Sequence, residues 1–427
     1  MTFRYKLRWQ NLRNSHLLGN VVSLYGIQFA GYAAPLVTIP YLARILGPQH
    51  WGLVAFAQAF GLYTGLFVEF GFSLSATRLV AKERSNRDEL ADIFAQVTGA
   101  KAVLAVVSLA IATAVVHFVP QFRDQRILLY AGAGAGIAQA YGVAWFYQGL
   151  ERMRLISIID ILGRACFAAS VFIFVHGPQD DWVVLCLQFF WYSAATLFLI
   201  GLFYREFSFR YPSLVGVRSM LKNSGSLFLY RSALTLYTVA NTILLGFMAP
   251  PASVALYAAG EKVYEAVSSL LTPLSQALYP RMNLLIEHDR QGAGRLLRLS
   301  VLLHVSVGFV LAGILYAAAP LIVRIGLGPG YEAVVRIVRV MSALLPMLAC
   351  TLVMGCHIML PLGMDKQFTA ITVVAGFVNL LGAVILVPRY AHFGMAYAVV
   401  ITFAFVTVAQ FVFLVRRVPQ FLLGAVP

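Results

Sequence analysis

The chain has 427 residues, of which 60% are hydrophobic and only 11% charged, and its mean hydropathy is +0.80. Lysine and arginine outnumber aspartate and glutamate 32 to 17, for a net charge of +15. Such a composition excludes a function carried by a large water-exposed domain, and places the chain's work inside or across a membrane.

A hydrocarbon core of roughly 30 Å is crossed by about 20 apolar helical residues. With that ruler the predicted spans of the first half are 21–42, 51–74, 93–119, 127–146, 155–175 and 182–203. Those of the second half are 227–248, 254–278, 299–323, 340–360, 368–387 and 394–415. The runs are too long and too uniformly apolar for lipid-facing strands, which alternate over about ten residues. Helices satisfy their own backbone groups in lipid, so the predicted fold is an all-α integral membrane protein of about twelve transmembrane helices.

Ahead of the first span lie Arg4, Lys6, Arg8 and Arg13, with no small-residue cleavage site after a short apolar core. A cleaved signal peptide is therefore not expected. Cys166, Cys186, Cys350 and Cys356 all fall inside predicted spans, without metal-ligand spacing, and read as small apolar packing residues. Trp51, Trp145 and Trp182 sit at span ends, as interfacial anchors do. Gly132, Gly134 and Gly136 alternate with alanine in the fourth span, a spacing that lets a neighbouring helix approach closely.

With the first residue placed in the cytoplasm, 21 of the 32 lysines and arginines fall in inner segments and 7 in outer ones. The positive-inside rule then puts both ends in the cytoplasm. The basic residues are spread over short loops, so the excess charge is one of topology and nucleic-acid binding is not expected.

The inner segment 204–224 is the natural midpoint, with Pro212 followed by Leu214, Val215, Val217, Met220 and Leu221 among Arg218 and Lys222. It suits an amphipathic linker between an N-terminal six-helix lobe (1–213) and a C-terminal one (214–427). An even number of spans per half makes any repeat parallel. A faint echo agrees: Ala55-Phe-Ala57 and Thr77-Arg78 recur, at nearly constant offset, as Leu256-Tyr-Ala258 and Pro280-Arg281.

Ionisable residues inside hydrocarbon are costly and usually face a bundle interior or a wet cavity. Here they are Glu69, Lys101, Asp160, Arg164, Arg231, Glu261, Lys262 and Glu265. Asp160 and Arg164 are four apart and can pair on one helical face; Glu261 and Glu265 share another face. In one interpretation Arg164, Lys101, Arg231 and Lys262 line a central cavity for an anionic head-group. Asp160, Glu261, Glu265 and Glu69 then balance charge or carry a coupling ion. In the other, each charge is a structural pair or snorkels to an interface. No P-loop and no His-x-x-x-His pair occurs, the eight histidines are scattered, and no metal, cofactor or enzyme activity is expected.

Several stretches carry a family resemblance. Pro40-Tyr-Leu-Ala-Arg-Ile-Leu-Gly-Pro48 leads through Trp51-Gly-Leu-Val-Ala-Phe-Ala-Gln58 to Glu69-Phe-Gly-Phe72 and Ser75-Ala-Thr-Arg78. Trp145-Phe-Tyr-Gln-Gly-Leu-Glu-Arg-Met153 follows, then Asn241-Thr-Ile-Leu-Leu-Gly246, Tyr257-Ala-Ala-Gly-Glu-Lys262 and Gln276-Ala-Leu-Tyr-Pro-Arg281, with a fainter Leu327-Gly-Pro-Gly-Tyr-Glu332. Together they cover about a third of the chain. They resemble the Wzx-type lipid-linked oligosaccharide flippases, the polysaccharide-transport branch of the multidrug/oligosaccharidyl-lipid/polysaccharide exporter superfamily. That resemblance implies two six-helix lobes around a central cavity, working by alternating access in the bacterial inner membrane. The implied cargo is an undecaprenyl-pyrophosphate-linked glycan unit, and the implied partners are a polysaccharide polymerase and chain-length proteins. A drug/cation antiporter of the same superfamily remains open, though deep cations favour anionic cargo. A membrane polysaccharide polymerase also remains open, though it would need a sizeable outer loop that is absent here.

Overall fold

Helices account for nearly all of the chain, and no strand occurs among the described residues. The computed structural model describes residues 2–119, 123–238 and 240–418, with side chains from residue 34 on except at a few positions that include Arg231. Two compact units divide the chain: Val37–Ala258, and Ala259–Pro427 together with Met1–Leu36. Nine segments among the described residues are long and apolar enough to cross a membrane. The expected all-α membrane architecture is thus present.

The difference between nine and twelve has local causes. Helix α1 (Thr2–Glu69) takes in the first predicted span and most of the second. The short loop expected between them is only a kink, where Gly47 leaves helical geometry at φ 69° and ψ 171° just before Pro48. The seventh predicted span lies across α8 (Leu214–Thr238) and α9 (Ala240–Met248), on either side of residue 239, which is outside the described residues. The eighth falls on α10 (Pro251–Ser268), where Glu261, Lys262 and Glu265 dilute the apolar run, and on α11 (Thr272–His288).

In the unit Val37–Ala258, α1 ends where Phe70 and Gly71 both take positive φ, 48° and 81°. Helix α2 (Phe72–Lys82) starts immediately after that break. Helix α3 (Arg87–Phe118) is capped by Asn86, whose side chain accepts the Glu89 N–H at 3.2 Å, with Asp88 and Glu89 complementing the positive helix start. The fourth predicted span is broken: α4 (Arg126–Ala140) stops, and α5 (Ala144–Gly149) begins after a gap of three residues. Helices α6 (Met153–Phe174) and α7 (Asp181–Glu206) form the fifth and sixth spans.

The core at one end of this unit is aromatic. Phe94 stacks on Phe203 at 3.8 Å between ring centroids, and Phe146 meets Phe203 edge-on at 5.0 Å. Such pairs add about 0.5–1.5 kcal/mol beyond their burial. Elsewhere the backbones themselves touch. A methyl built on Gly61 would lie 2.3 Å from the Gly132 carbonyl oxygen, and one on Gly136 only 1.7 Å from that of Gly61. The glycine spacing in α4 is therefore a helix contact, as expected, with Gly61 and Gly65 of α1 as its partners.

The amphipathic linker is not a separate helix. It forms the first turns of α8, which continues through Asn223-Ser224-Gly225-Ser226 into the apolar run. Val217, Met220 and Leu221 pack on the aromatic core, while Leu214 and Val215 stay exposed. The connector before it is tied to α3: Ser213 donates its N–H to Gln96 Oε1 at 3.0 Å, and Arg210 pairs with Asp88 at 2.6 Å. These two carboxylates of α3, Asp88 and Asp92, hold the Arg210 pKa above its ordinary value.

In the unit that begins at Ala259, α11 is followed by α12 (Arg290–Gly326), whose first turn is capped by Asp289 accepting the Gly292 N–H at 2.9 Å. Helices α13 (Glu332–Ser342) and α14 (Leu344–Leu352) lead into a π-helical turn, Val353–Met359, so the tenth span starts earlier than expected and is irregular at both ends. Helices α15 (Asp365–Tyr390) and α16 (His392–Arg417) complete it. Its core gathers Met282, Leu297, Val353, Ile358, Met359 and Leu414.

Candidate functional site

The break between α4 and α5 explains Lys101. A helix that stops leaves its last carbonyls without partners. Lys101, 2% exposed, reaches the Ala140 carbonyl with its ammonium at 2.7 Å. The same ammonium lies 5.7 Å from the centre of the Trp145 ring on α5, and Glu69 acts on it electrostatically. Glu69 in turn caps α2, accepting the N–H groups of Gly71 at 3.0 Å and Ser73 at 2.5 Å. Trp145 is fixed by its own carbonyl, which accepts the Thr77 hydroxyl at 2.9 Å. Two chain breaks are thereby stitched by one buried cation and one carboxylate.

Asp160 and Arg164 behave as their spacing predicts. The guanidinium Nε donates to the Asp160 carboxylate at 3.0 Å along one face of α6. The pair is 54% and 47% exposed, on the same helix as the exposed Ile158, Ile161 and Leu162 and within the span Arg154–Phe174. Lys262 pairs with Glu265 at 2.7 Å, and both side chains are part-exposed. Glu261 is buried on the same helix at 9% exposure. The Arg231 side chain lies outside the described residues. Lys101, Glu69, Asp160 and Arg164 thus belong to one unit, and Glu261, Lys262 and Glu265 to the other.

The motif 145–153 is a junction. Glu151 accepts Arg84 at 2.8 Å and Arg152 binds Glu206 at 2.6 Å, joining the loop after α2 to the end of α7. No group of three or more metal-ligating side chains occurs among the described residues.

What sequence reasoning missed is a pair of histidines. His304 on α12 and His357 in the π-helical turn are both fully buried, with ring centroids 5.2 Å apart. Ser300 and Ser275 bind them at 2.7 Å and 3.1 Å from His357. Their separation of more than fifty positions hides the pair from any spacing motif; the sole signal is that each interrupts an apolar run.

A family model described as "Polysaccharide biosynthesis protein" matches residues 17–285. A protein of Escherichia coli (strain K12) named "Putative O-antigen transporter" is 30% identical over 405 residues, 94% of this chain and 98% of the relative. One of the same name from Shigella dysenteriae is 27% identical over 392 residues, 90% of this chain and 96% of the relative. Among solved structures, lipid II flippase MurJ in an inward closed conformation gives a TM-score of 0.71 at 12% identity, over 95% of this chain and 90% of that one. An inward-facing multidrug resistance MATE family transporter of the MOP superfamily gives 0.64 at 13% identity, over 95% and 96%. At such identities the likeness is one of fold, an all-α membrane architecture.

Proposed function

Because the chain belongs to the polysaccharide biosynthesis protein family, we propose that it is a flippase for polyprenyl-pyrophosphate-linked oligosaccharide units. It carries them from the inner to the outer leaflet of the bacterial inner membrane by alternating access between an N-terminal lobe (1–213) and a C-terminal lobe (214–427). Both termini lie in the cytoplasm, consistent with the bias of basic residues. The chain is a transporter and not an enzyme, and it supplies a polysaccharide polymerase and chain-length proteins. The names of the E. coli and S. dysenteriae relatives support the cargo class.

The observation that carries the mechanism is the half-exposed Asp160–Arg164 pair within an apolar span. A charge pair at that depth is tolerated where it faces water, and a diphosphate needs such a wet cationic path because burying its charge unpaired is prohibitive. Arg164 suits the task, since its guanidinium stays charged and donates in a fork to phosphate oxygens. Asp160 holds it until cargo arrives, and Glu265 does the same for Lys262. By charge alone Arg231 is a further candidate for the head-group, Lys101 holds the broken fourth span, and Glu69 and Glu261 are candidates for charge balance. The polyprenyl tail remains in lipid throughout.

The test is complementation of a flippase-null strain. Wild type restores surface glycan, whereas Arg164→Ala at the same membrane level leaves lipid-linked glycan on the inner leaflet. Failure of wild type with several matched glycan pathways, together with gained resistance to cationic dyes, would replace the flippase with a drug antiporter.

A further inference from the structure

Hydrogen-bond directions fix the protons of the buried histidine pair. Backbone carbonyls only accept. His304 Nδ1 lies 2.9 Å from the Ser300 carbonyl oxygen, and His357 Nε2 lies 3.3 Å from that of Ser275. Each of those nitrogens therefore carries a proton in the neutral ring, and donates it. The Ser300 hydroxyl, 2.7 Å from His357 Nδ1, then donates to that nitrogen. The same hydroxyl oxygen is 3.3 Å from His304 Nδ1 and can accept from it. One basic nitrogen remains: His304 Nε2 is buried and makes no hydrogen bond among the described residues.

Buried polar atoms are mostly satisfied, and among the eight that make no hydrogen bond in the described residues His304 Nε2 stands out by the second imidazole 5.2 Å from its ring. Here two imidazoles occupy positions where leucine would pack at no polar cost, and a π-helical turn, a geometry frequent at functional sites, presents one of them. Neither ring is bonded to a carboxylate among the described residues. The titratable groups around them are few. Cys356 lies near Ser275, and Cys350 on α14 and Arg281 on α11 are half-buried. On α12 Arg295 and Arg298 are exposed, and on α13 Arg336 and Arg339 are engaged by Tyr397 and the Tyr316 carbonyl. The charges of α15 and α16 lie at helix ends, and the buried polar groups they bring, Asn379 and Gln410, are neutral.

We propose that the Ser275–His357–Ser300–His304 chain is a proton-binding site, with His304 Nε2 the nitrogen that takes the proton, and that its loading and unloading drive the flipping cycle. The second half of this statement rests on the flippase function proposed above. One proton enters at His304 Nε2. The His304 Nδ1 proton can pass to the Ser300 hydroxyl as that hydroxyl gives its own to His357 Nδ1, so the positive charge moves between two spans while only N–H and O–H bonds change. Charging a fully buried ring is unfavourable while the helices stay packed. Protonation therefore selects a conformation in which α11, α12 and the π-helical turn admit water.

The proton site is tested by nitrogen NMR of the full chain, labelled at histidine, in lipid nanodiscs between about pH 5 and 8, where imidazoles ordinarily titrate. The expected result is a titrating imidazole that disappears in His304→Asn, an exchange that keeps a donor for the Ser300 carbonyl. Two rings that stay neutral and silent across that range in the wild type would overturn the site, whatever the variant does. Coupling is tested by surface glycan in the complemented strain: His304→Asn at matched membrane level should lower it roughly tenfold, within the usual range of coupling between sites. The residue left should no longer respond to a protonophore. A titrating His304 beside undiminished, protonophore-sensitive transport in the variant would overturn the coupling alone. Failure of wild type to restore glycan, with titration intact, would instead remove the flippase function and leave the proton site standing.

Discussion

Replacing Gly136 by alanine tests the closest helix contact in the unit Val37–Ala258. The new methyl would lie 1.7 Å from the Gly61 carbonyl oxygen, where ordinary contact begins at 3.4 Å, a shortfall of 1.7 Å. Both colliding groups are backbone-mounted, so no rotamer change relieves the clash and α1 and α4 must part. Parting them also loosens Gly61 on Gly132 and Gly65 on Gly136. Overpacking of this kind costs about 1–3 kcal/mol or more, against a helix-propensity gain of about 1 kcal/mol for glycine to alanine. Gly134→Ala is the internal control. It earns the same propensity gain, but its methyl meets only the Phe189 ring, at an ordinary 3.4 Å. The two variants should therefore differ by about 3 kcal/mol, roughly a hundredfold in the unfolding equilibrium, with Gly134→Ala at or slightly above wild type. Denaturant unfolding of the purified chain in mild detergent, followed by tryptophan fluorescence, reads the difference. Coincident midpoints for the two variants would refute the glycine contact.

Lys101→Met should strand the Ala140 carbonyl and cost about 1–3 kcal/mol of stability in the same assay. An unchanged midpoint with lipid-linked glycan accumulating would move Lys101 from strut to cargo contact. Glu69→Ala should lose the cap of α2, about 1 kcal/mol, and Glu69→Gln distinctly less, because one amide oxygen still accepts; equal losses would contradict the cap. Gln96→Ala removes both hydrogen bonds to Ser213. It should speed tryptic cleavage at Arg210 in membranes, and an unchanged cleavage rate would show that the connector is held by Arg210–Asp88 alone.

The spans were legible because lipid demands uninterrupted apolar runs, and lipid imposes that demand residue by residue. Asp160 and Arg164 were legible for a similar reason: four residues is one helical turn, so spacing alone implies the pair. Gly132 and Gly136 declared a close contact but not its partner, since Gly61 and Gly65 are one choice among many small residues. Lys101 shows where such inference stops. Its partner is a carbonyl freed by a helix break at 141–143, where only Gly142 hints at an interruption. The histidine pair is harder still, because His304 and His357 meet only through the packing of α12 against the π-helical turn. Lys262 does not share the helical face of Glu261 and Glu265, yet its long side chain reaches Glu265 three residues on.

The unit Val37–Ala258 is one unbroken stretch of chain, and that has a consequence for biosynthesis. Every contact within it can close as soon as residue 258 leaves the ribosome. Ninety-nine further residues separate that point from His357. At about 5–20 residues per second they take roughly 5–20 seconds to make. During that interval the finished unit must survive in the bilayer with its own resources. Its buried cation already has the Ala140 carbonyl and Glu69 at hand, both made within forty residues of Lys101. His304 has no such early companion beyond Ser300, and its ring meets His357 only once the tenth span is inserted. The order of synthesis thus secures the structural charge first and assembles the titratable pair last.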